Sequence, residues 1–118
     1  MNIFLDDDLQ QRQTPIGFER FVDGTDLMTF MTDDDYLVPV AIISFDNDLG
    51  YDIEGYDVLK NLVNHGVSAK RWNLHSANVI AVRNMRSYLE SAMKMGVIDN
   101  ALITTTDCRG LNNEMRNL

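Results

Sequence analysis

The sequence predicts an α/β domain of three layers, with a mostly parallel sheet of four to five strands and flanking helices. Two apolar runs, IFL at 3–5 and VPVAIISF at 38–45, each stop abruptly at aspartates. Between and after them lie stretches, near 55–66 and 79–96, whose apolar residues recur at helical spacing and end at glycine. Strands alternating with helices pair in parallel, because a right-handed crossover between parallel strands needs an intervening element. There is no internal repeat and no low-complexity linker.

Asn2–Leu5 reads as a buried strand that empties into a polar loop, putting Asp6, Asp7 and Asp8 at its C-terminal end. Residues 9–17 are polar and contain Pro15 and Gly17, a loop signal; Phe18–Val22 then alternates apolar and charged residues as an edge strand does. Thr25 or Asp26 can cap a short helix running to about Met31, ahead of the acidic stretch Asp33–Asp35. Val38–Phe45 is the most apolar and β-branched segment and reads as a central strand buried on both faces; it too ends in acids, Asp46 and Asp48. A helix over 55–64 puts Val58, Leu59, Leu62 and Val63 on one face and stops at Gly66, with His65 placed to favour the helix C-terminus. Arg71–His75 follows as a shorter strand, with Trp72 as packing. The helix over 79–95 carries Val82, Met85, Leu89 and Ala92 on one stripe, takes Asn78 or Ser76 as its cap and ends at Gly96. Ala101–Thr104 supplies a fifth strand, and Cys108–Leu118 is a polar tail or one short terminal helix. Met28, Met31, Met85, Met93 and Met95 fall in helical segments and read as core filler.

A chain of 118 residues fits one domain with a real core. Its net charge of -8 argues against a broad footprint for duplex DNA or an anionic membrane, so a phosphate ligand needs a local device such as a bound cation. The single cysteine, Cys108, cannot form an intramolecular disulfide and leaves too little sulfur for a thiolate zinc site, which suits a reducing compartment. The start MNIFLDDD has no basic region ahead of a long apolar stretch, and no apolar run is long enough to span a bilayer. A soluble, cytoplasmic protein is expected.

In a doubly wound sheet with flavodoxin-type strand order, ligands bind beyond the C-terminal ends of the first and third strands, where Asp6, Asp7 and Asp46 converge. Carboxylates so close repel one another unless a cation compensates. An all-oxygen donor set favours Mg²⁺ or Mn²⁺, which also leaves coordination positions for phosphate oxygens. The alternative is a solvated acidic loop. His75, Ser76, Ala77 and Asn78 form a second cluster at a strand-to-helix junction, where free N–H groups and the helix dipole favour an anion. There His75 can act as general acid or base, and Ser76 can donate to a phosphoryl oxygen. Equally, Ser76 and Asn78 can serve as caps and His75 as a structural histidine. Arg83 and Asn84, a turn into the helix, can reach the site or face solvent.

These residues resemble a family, the cyclic-phosphate processing receiver-like domains, a branch of the response-regulator receiver fold. The matching blocks are IFLDDD at 3–8, ISFDNDLG at 43–50, GYDVLKNLV at 55–63, and HSAN at 75–78 followed by NM at 84–85. The resemblance implies a receiver-like fold with a metal-binding acidic pocket acting on cyclic phosphates of nucleotides or RNA ends. It implies Asp6, Asp7, Asp46 and Asp48 as the metal-binding acids and His75, Asp46 and Ser76 as the catalytic set. Asn47, Asn78 and Asn84 then fall to the substrate. The family pattern has a histidine between the two aspartates of the third-strand motif, where this chain has Asn47, which cannot exchange a proton near neutral pH. The reading that follows is a metal-dependent phosphoesterase with His75 protonating the leaving oxygen. Its rival is a non-catalytic receiver-like module that binds a cyclic or phosphorylated nucleotide or a protein partner, or accepts a phosphoryl group on Asp46. Against phosphoacceptance, Ala101–Asp107 lacks the lysine that a receiver carries after its fifth strand.

Overall fold

The computed structural model describes residues 1–10, 12–33, 39–50 and 53–106. Five strands, β1 (Asn2–Leu5), β2 (Glu19–Phe21), β3 (Val40–Phe45), β4 (Ala69–Leu74) and β5 (Leu102–Thr105), form one sheet in the order β2-β1-β3-β4-β5. Every pairing is parallel. Three helices, α1 (Gly24–Met31), α2 (Gly55–Asn64) and α3 (Val79–Lys94), join β2 to β3, β3 to β4 and β4 to β5. This is the receiver-like, flavodoxin-type α/β arrangement, and its switch point lies between β1 and β3.

The three helical crossovers all advance in the same direction across the sheet, so right-handedness puts all three helices on one face. The register agrees. Ile3, Leu5, Ile43, Phe45, Trp72 and Leu74 share that face and form one core with Leu27, Val58, Leu59, Leu62, Met85 and Leu89. Phe45 stacks on Trp72 with ring centroids 6.0 Å apart.

The β1-to-β2 connection breaks the expected strand-helix alternation, because its described residues form turns and bends rather than a helix. It steps the opposite way across the sheet, so the same handedness carries its described residues over the second face. There Phe18 meets Phe4 edge-on at 6.4 Å, and the Arg20 guanidinium lies over the Phe4 ring at 5.4 Å.

Several local expectations shift. Asp23, not Thr25 or Asp26, caps α1: its carboxylate accepts from the Thr25 amide at 2.8 Å, which leaves both expected residues inside the first turn. Asn78, not Ser76, caps α3 by accepting from the Ala81 amide at 3.0 Å. β4 starts two residues earlier than expected, so His75 lies just past its end. β3 is not buried on both faces throughout, since Ala41 and Ile42 are only half-buried. Met95 is exposed at the C-cap of α3 rather than in the core, whereas Met85 is fully buried. His65 meets its expectation: its Nδ1 donates to the Asn61 carbonyl at 2.8 Å at the end of α2. Val38, Asp34–Asp35, Cys108 and the rest of the expected tail lie outside the described residues. Among the described residues no helix is long and apolar enough to cross a membrane.

Candidate functional site

The C-terminal ends of β1 and β3 are adjacent in register, Leu5 beside Phe45, so the next residues, Asp6 and Asp46, emerge side by side. Asp6, Asp7 and Asp46 each offer a carboxylate oxygen, and these oxygens all lie within 4.8 Å of one another. An all-oxygen set at this spacing fits a hard divalent cation. Asp48, expected as a fourth acid, lies apart from that group: it is exposed and accepts from the Asn47 and Asn78 side chains at 3.2 and 3.4 Å.

A cation already sits among the acids. One nitrogen of Arg12, Nη1, donates to Asp6 Oδ2 at 3.0 Å and to Asp46 Oδ2 at 2.9 Å. Arg20 supports the same corner: its Nε donates to the Asp6 carbonyl at 3.1 Å, its Nη1 to the Arg12 carbonyl at 2.6 Å, and its Nη2 approaches Asp6 Oδ1 at 3.4 Å. Sequence reasoning missed both arginines. Arg12 gives no periodic signal within a polar loop, and only the fold of that loop's described residues over the sheet returns it to the strand ends.

His75 is fully buried, with Phe4 stacked on its ring at 4.4 Å and nearly parallel. Its Nδ1 lies 2.6 Å from Ser44 Oγ, and its Nε2 lies 2.9 Å from Asp6 Oδ2. Ser44 Oγ accepts from Asn73 Nδ2 at 2.9 Å, and Thr104 donates to Asn73 Oδ1 at 2.8 Å. Because a carboxylate only accepts, Nε2 donates to Asp6, while Nδ1 and the Ser44 hydroxyl share the other hydrogen bond. A polar line thus runs along the second face from Thr104 through Asn73, Ser44 and His75 to Asp6. Its signal in the sequence is two polar residues, Ser44 and Asn73, inside otherwise apolar central strands. The expectation that His75 meets a leaving oxygen directly needs correction. Both ring nitrogens are committed inside the protein, and His75 reaches the site through Asp6.

The two buried acids differ. Burial by itself raises the Asp6 carboxyl, but hydrogen bonds from His75, the Asp8 amide and Arg12 outweigh it and hold the group below its ordinary 3.8. For Asp46, burial and the neighbouring Asp6 charge prevail over Arg12, His75 and a Ser76 hydrogen bond, so its carboxyl is raised.

The two helix N-termini beside the acids are not equivalent. At α2 the Gly55 amide bonds the Asn47 carbonyl at 2.8 Å, the Tyr56 amide bonds Asn47 Oδ1 at 3.0 Å, and a Glu54–Asp57 capping box takes the next donor. Asn47, expected to face substrate, is therefore the side chain that completes the start of α2. At α3 the Ala81 and Val82 amides bond Asn78. The Val79 and Ile80 amides make no hydrogen bond among the described residues. Ser76 sits beside them, accepting from the Asn78 amide at 3.1 Å, close enough to Asp46 to ease the rise of its carboxyl.

A family model described as the cyclic-phosphate processing receiver domain matches residues 1–91. The chain belongs to this family. No curated protein and no solved structure matches it. The matched segment of this receiver domain holds every acid and polar residue of the site described above except Thr104. It also holds a groove of about 340 Å³ between the starts of α2 and α3, lined by Asn47, Tyr56, Asn78, Ile80 and Asn84 among others. The three asparagines expected to face substrate thus line one groove, which none of Asp6, Asp7 and Asp46 lines, while Arg83 is exposed.

Proposed function

We propose that this receiver domain is a metal-dependent phosphoesterase that opens a cyclic phosphate on a nucleotide or an RNA end. The observation that carries the reading is the meeting of the Asp6, Asp7 and Asp46 cluster with the start of α3, where the Val79 and Ile80 amides bond none of the described residues and Ser76 lies between them and Asp46. Asp6, Asp7 and Asp46 would hold Mg²⁺ or Mn²⁺, which when bound polarises phosphoryl oxygens and offsets their charge. The Val79 and Ile80 amides and Ser76 bind the remaining phosphoryl oxygens. Asn78 and Asn84 orient the rest of the ligand in the groove. His75 acts as a positioning residue, fixing Asp6 from below. Water adds to phosphorus, a ring P–O bond breaks, and the departing oxygen takes its proton from solvent, leaving a phosphomonoester.

The test is an assay of the purified protein with 2′,3′-cyclic and 3′,5′-cyclic nucleotides, cyclic dinucleotides and cyclic-ended RNA, with and without Mg²⁺ or Mn²⁺. Metal-dependent turnover that Asp46→Asn abolishes and Ser76→Ala weakens is expected. Absence of turnover for every substrate, or turnover surviving both substitutions, sinks the reading.

Two observations favour a second reading, a module that binds the cyclic phosphate without hydrolysing it. Asn47 stands where the family pattern has histidine and is spent on capping α2, and His75 is committed to Ser44 and Asp6. Saturable binding of a cyclic nucleotide by calorimetry, with no product formed over the same period, selects this module.

A further inference from the structure

Asp6 has no acceptor capacity to spare. A carboxylate offers about four lone-pair directions, and Asp6 meets four donors. The Asp8 amide at 2.7 Å and Arg20 at 3.4 Å reach Oδ1, while His75 at 2.9 Å and Arg12 at 3.0 Å reach Oδ2. A metal ion that takes Asp6 as a ligand must therefore displace one of them. The Asp8 amide belongs to the adjoining backbone, His75 is fully buried under Phe4, and Arg20 also holds the Asp6 and Arg12 carbonyls. Arg12 is the donor best able to leave. Its side chain is the more exposed of the two arginines, 18% against 10%, and Arg20 fastens its backbone independently of its guanidinium. Arg12 also bridges Oδ2 of Asp6 and Oδ2 of Asp46, two of the three carboxylates that an ion in the cluster would share.

We infer that Arg12 is a built-in counter-ion of the acidic cluster, holding Asp6 and Asp46 together in the metal-free protein and exchanging out when a divalent cation binds. The inference rests on the metal part of the proposed function. Mutual exclusion follows from charge as well as from lone pairs, because a guanidinium held against a divalent ion at this range repels it strongly. The arginine thereby raises the metal concentration at which the site fills. In exchange, it spares the empty cluster the repulsion of two adjacent buried carboxylates.

Calorimetric titration with Mn²⁺ of the wild type, Arg12→Gln and, as a surface control, Arg83→Gln tests this directly. Arg12→Gln should bind Mn²⁺ about tenfold more tightly or better, and Arg83→Gln as the wild type does. Arg12→Gln should also unfold at lower temperature without metal and recover more on adding Mg²⁺ than the wild type gains. The wild type supplies a readout that needs no variant: saturating Mg²⁺ should shift the Arg12 guanidinium NMR signal toward that of a solvated arginine and leave Arg20 in place. Equal or weaker Mn²⁺ binding by Arg12→Gln, or an unmoved Arg12 signal in a metal-saturated protein, overturns the inference while the metal site stands. If neither protein binds Mn²⁺, the inference and the metal part of the proposed function fall together.

Discussion

At Asp6, four donors converge on one carboxylate, while Asp46, one strand away, has Arg12 and Ser76 and is pressed by the Asp6 charge. Their contributions to stability therefore have opposite signs. The Asp6 carboxyl is held below 3.8, so its contribution is complete above that pH and is lost as the pH falls through the lower native value. The Asp46 carboxyl is raised, so its ionisation costs stability at neutral pH, and acidification through its native value relieves that cost. In metal-free buffer at pH 7, Asp6→Asn should destabilise the fold by roughly 3 kcal/mol, since it leaves Arg12 and Arg20 short of a buried partner. Asp46→Asn should leave the midpoint unchanged or raise it. Urea unfolding between neutral pH and pH 3 checks both. A larger loss for Asp46→Asn than for Asp6→Asn would refute this assignment of roles. The aspartates were legible as strand-end acids. Their inequality was not, because it depends on His75 and two arginines that sequence spacing does not link to them.

At the scale of elements, the site depends on how closely α2 approaches the end of β3. Gly55 is the first residue of α2, and a Cβ there would run into the Asp46 carbonyl group and lie 2.9 Å from the Asn47 Cα. Backbone leaves no room to yield, so the glycine is required by proximity rather than by its dihedral angles. Gly55→Ala should push α2 off the β3 end, break the Asn47 cap and destabilise the protein by about 3 kcal/mol or more. Thermal unfolding followed by circular dichroism measures it, and a wild-type midpoint would show that the two elements are less tightly joined than described. Helices α2 and α3 were readable from the spacing of Val58, Leu59, Leu62, Met85 and Leu89, all of which are buried. Caps were read less well. Asp23 and Ser76 compete with neighbours of similar chemistry, and only backbone direction decides which side chain faces the free amides.

Over the whole molecule, the net charge of -8 constrains partners. A surface so acidic attracts no duplex, so the proposed phosphate recognition would be confined to the start of α3 and the cation proposed beside it. No mobility shift of duplex DNA is expected at about 0.1 M salt. A salt-sensitive shift at micromolar protein would contradict the expectation.

The sequence by itself determined the parallel α/β class, most element positions and the meeting of Asp6, Asp7 and Asp46, because strand ends, helical spacing and crossover handedness are local or topological rules. The tertiary structure alone decided what those acids face. The described residues of the β1-to-β2 connection cross the second face of the sheet without a helix and bring Arg12 back between Asp6 and Asp46. The β1, β3 and β4 register stacks Phe4, Ser44 and Asn73 on that face, so His75 is received beneath Asp6. From the sequence, the acidic cluster called for a bound cation or else was a solvated loop. In the folded chain an arginine from the loop between β1 and β2 balances it, because a polar loop without periodicity can place its charge wherever the sheet beneath it directs.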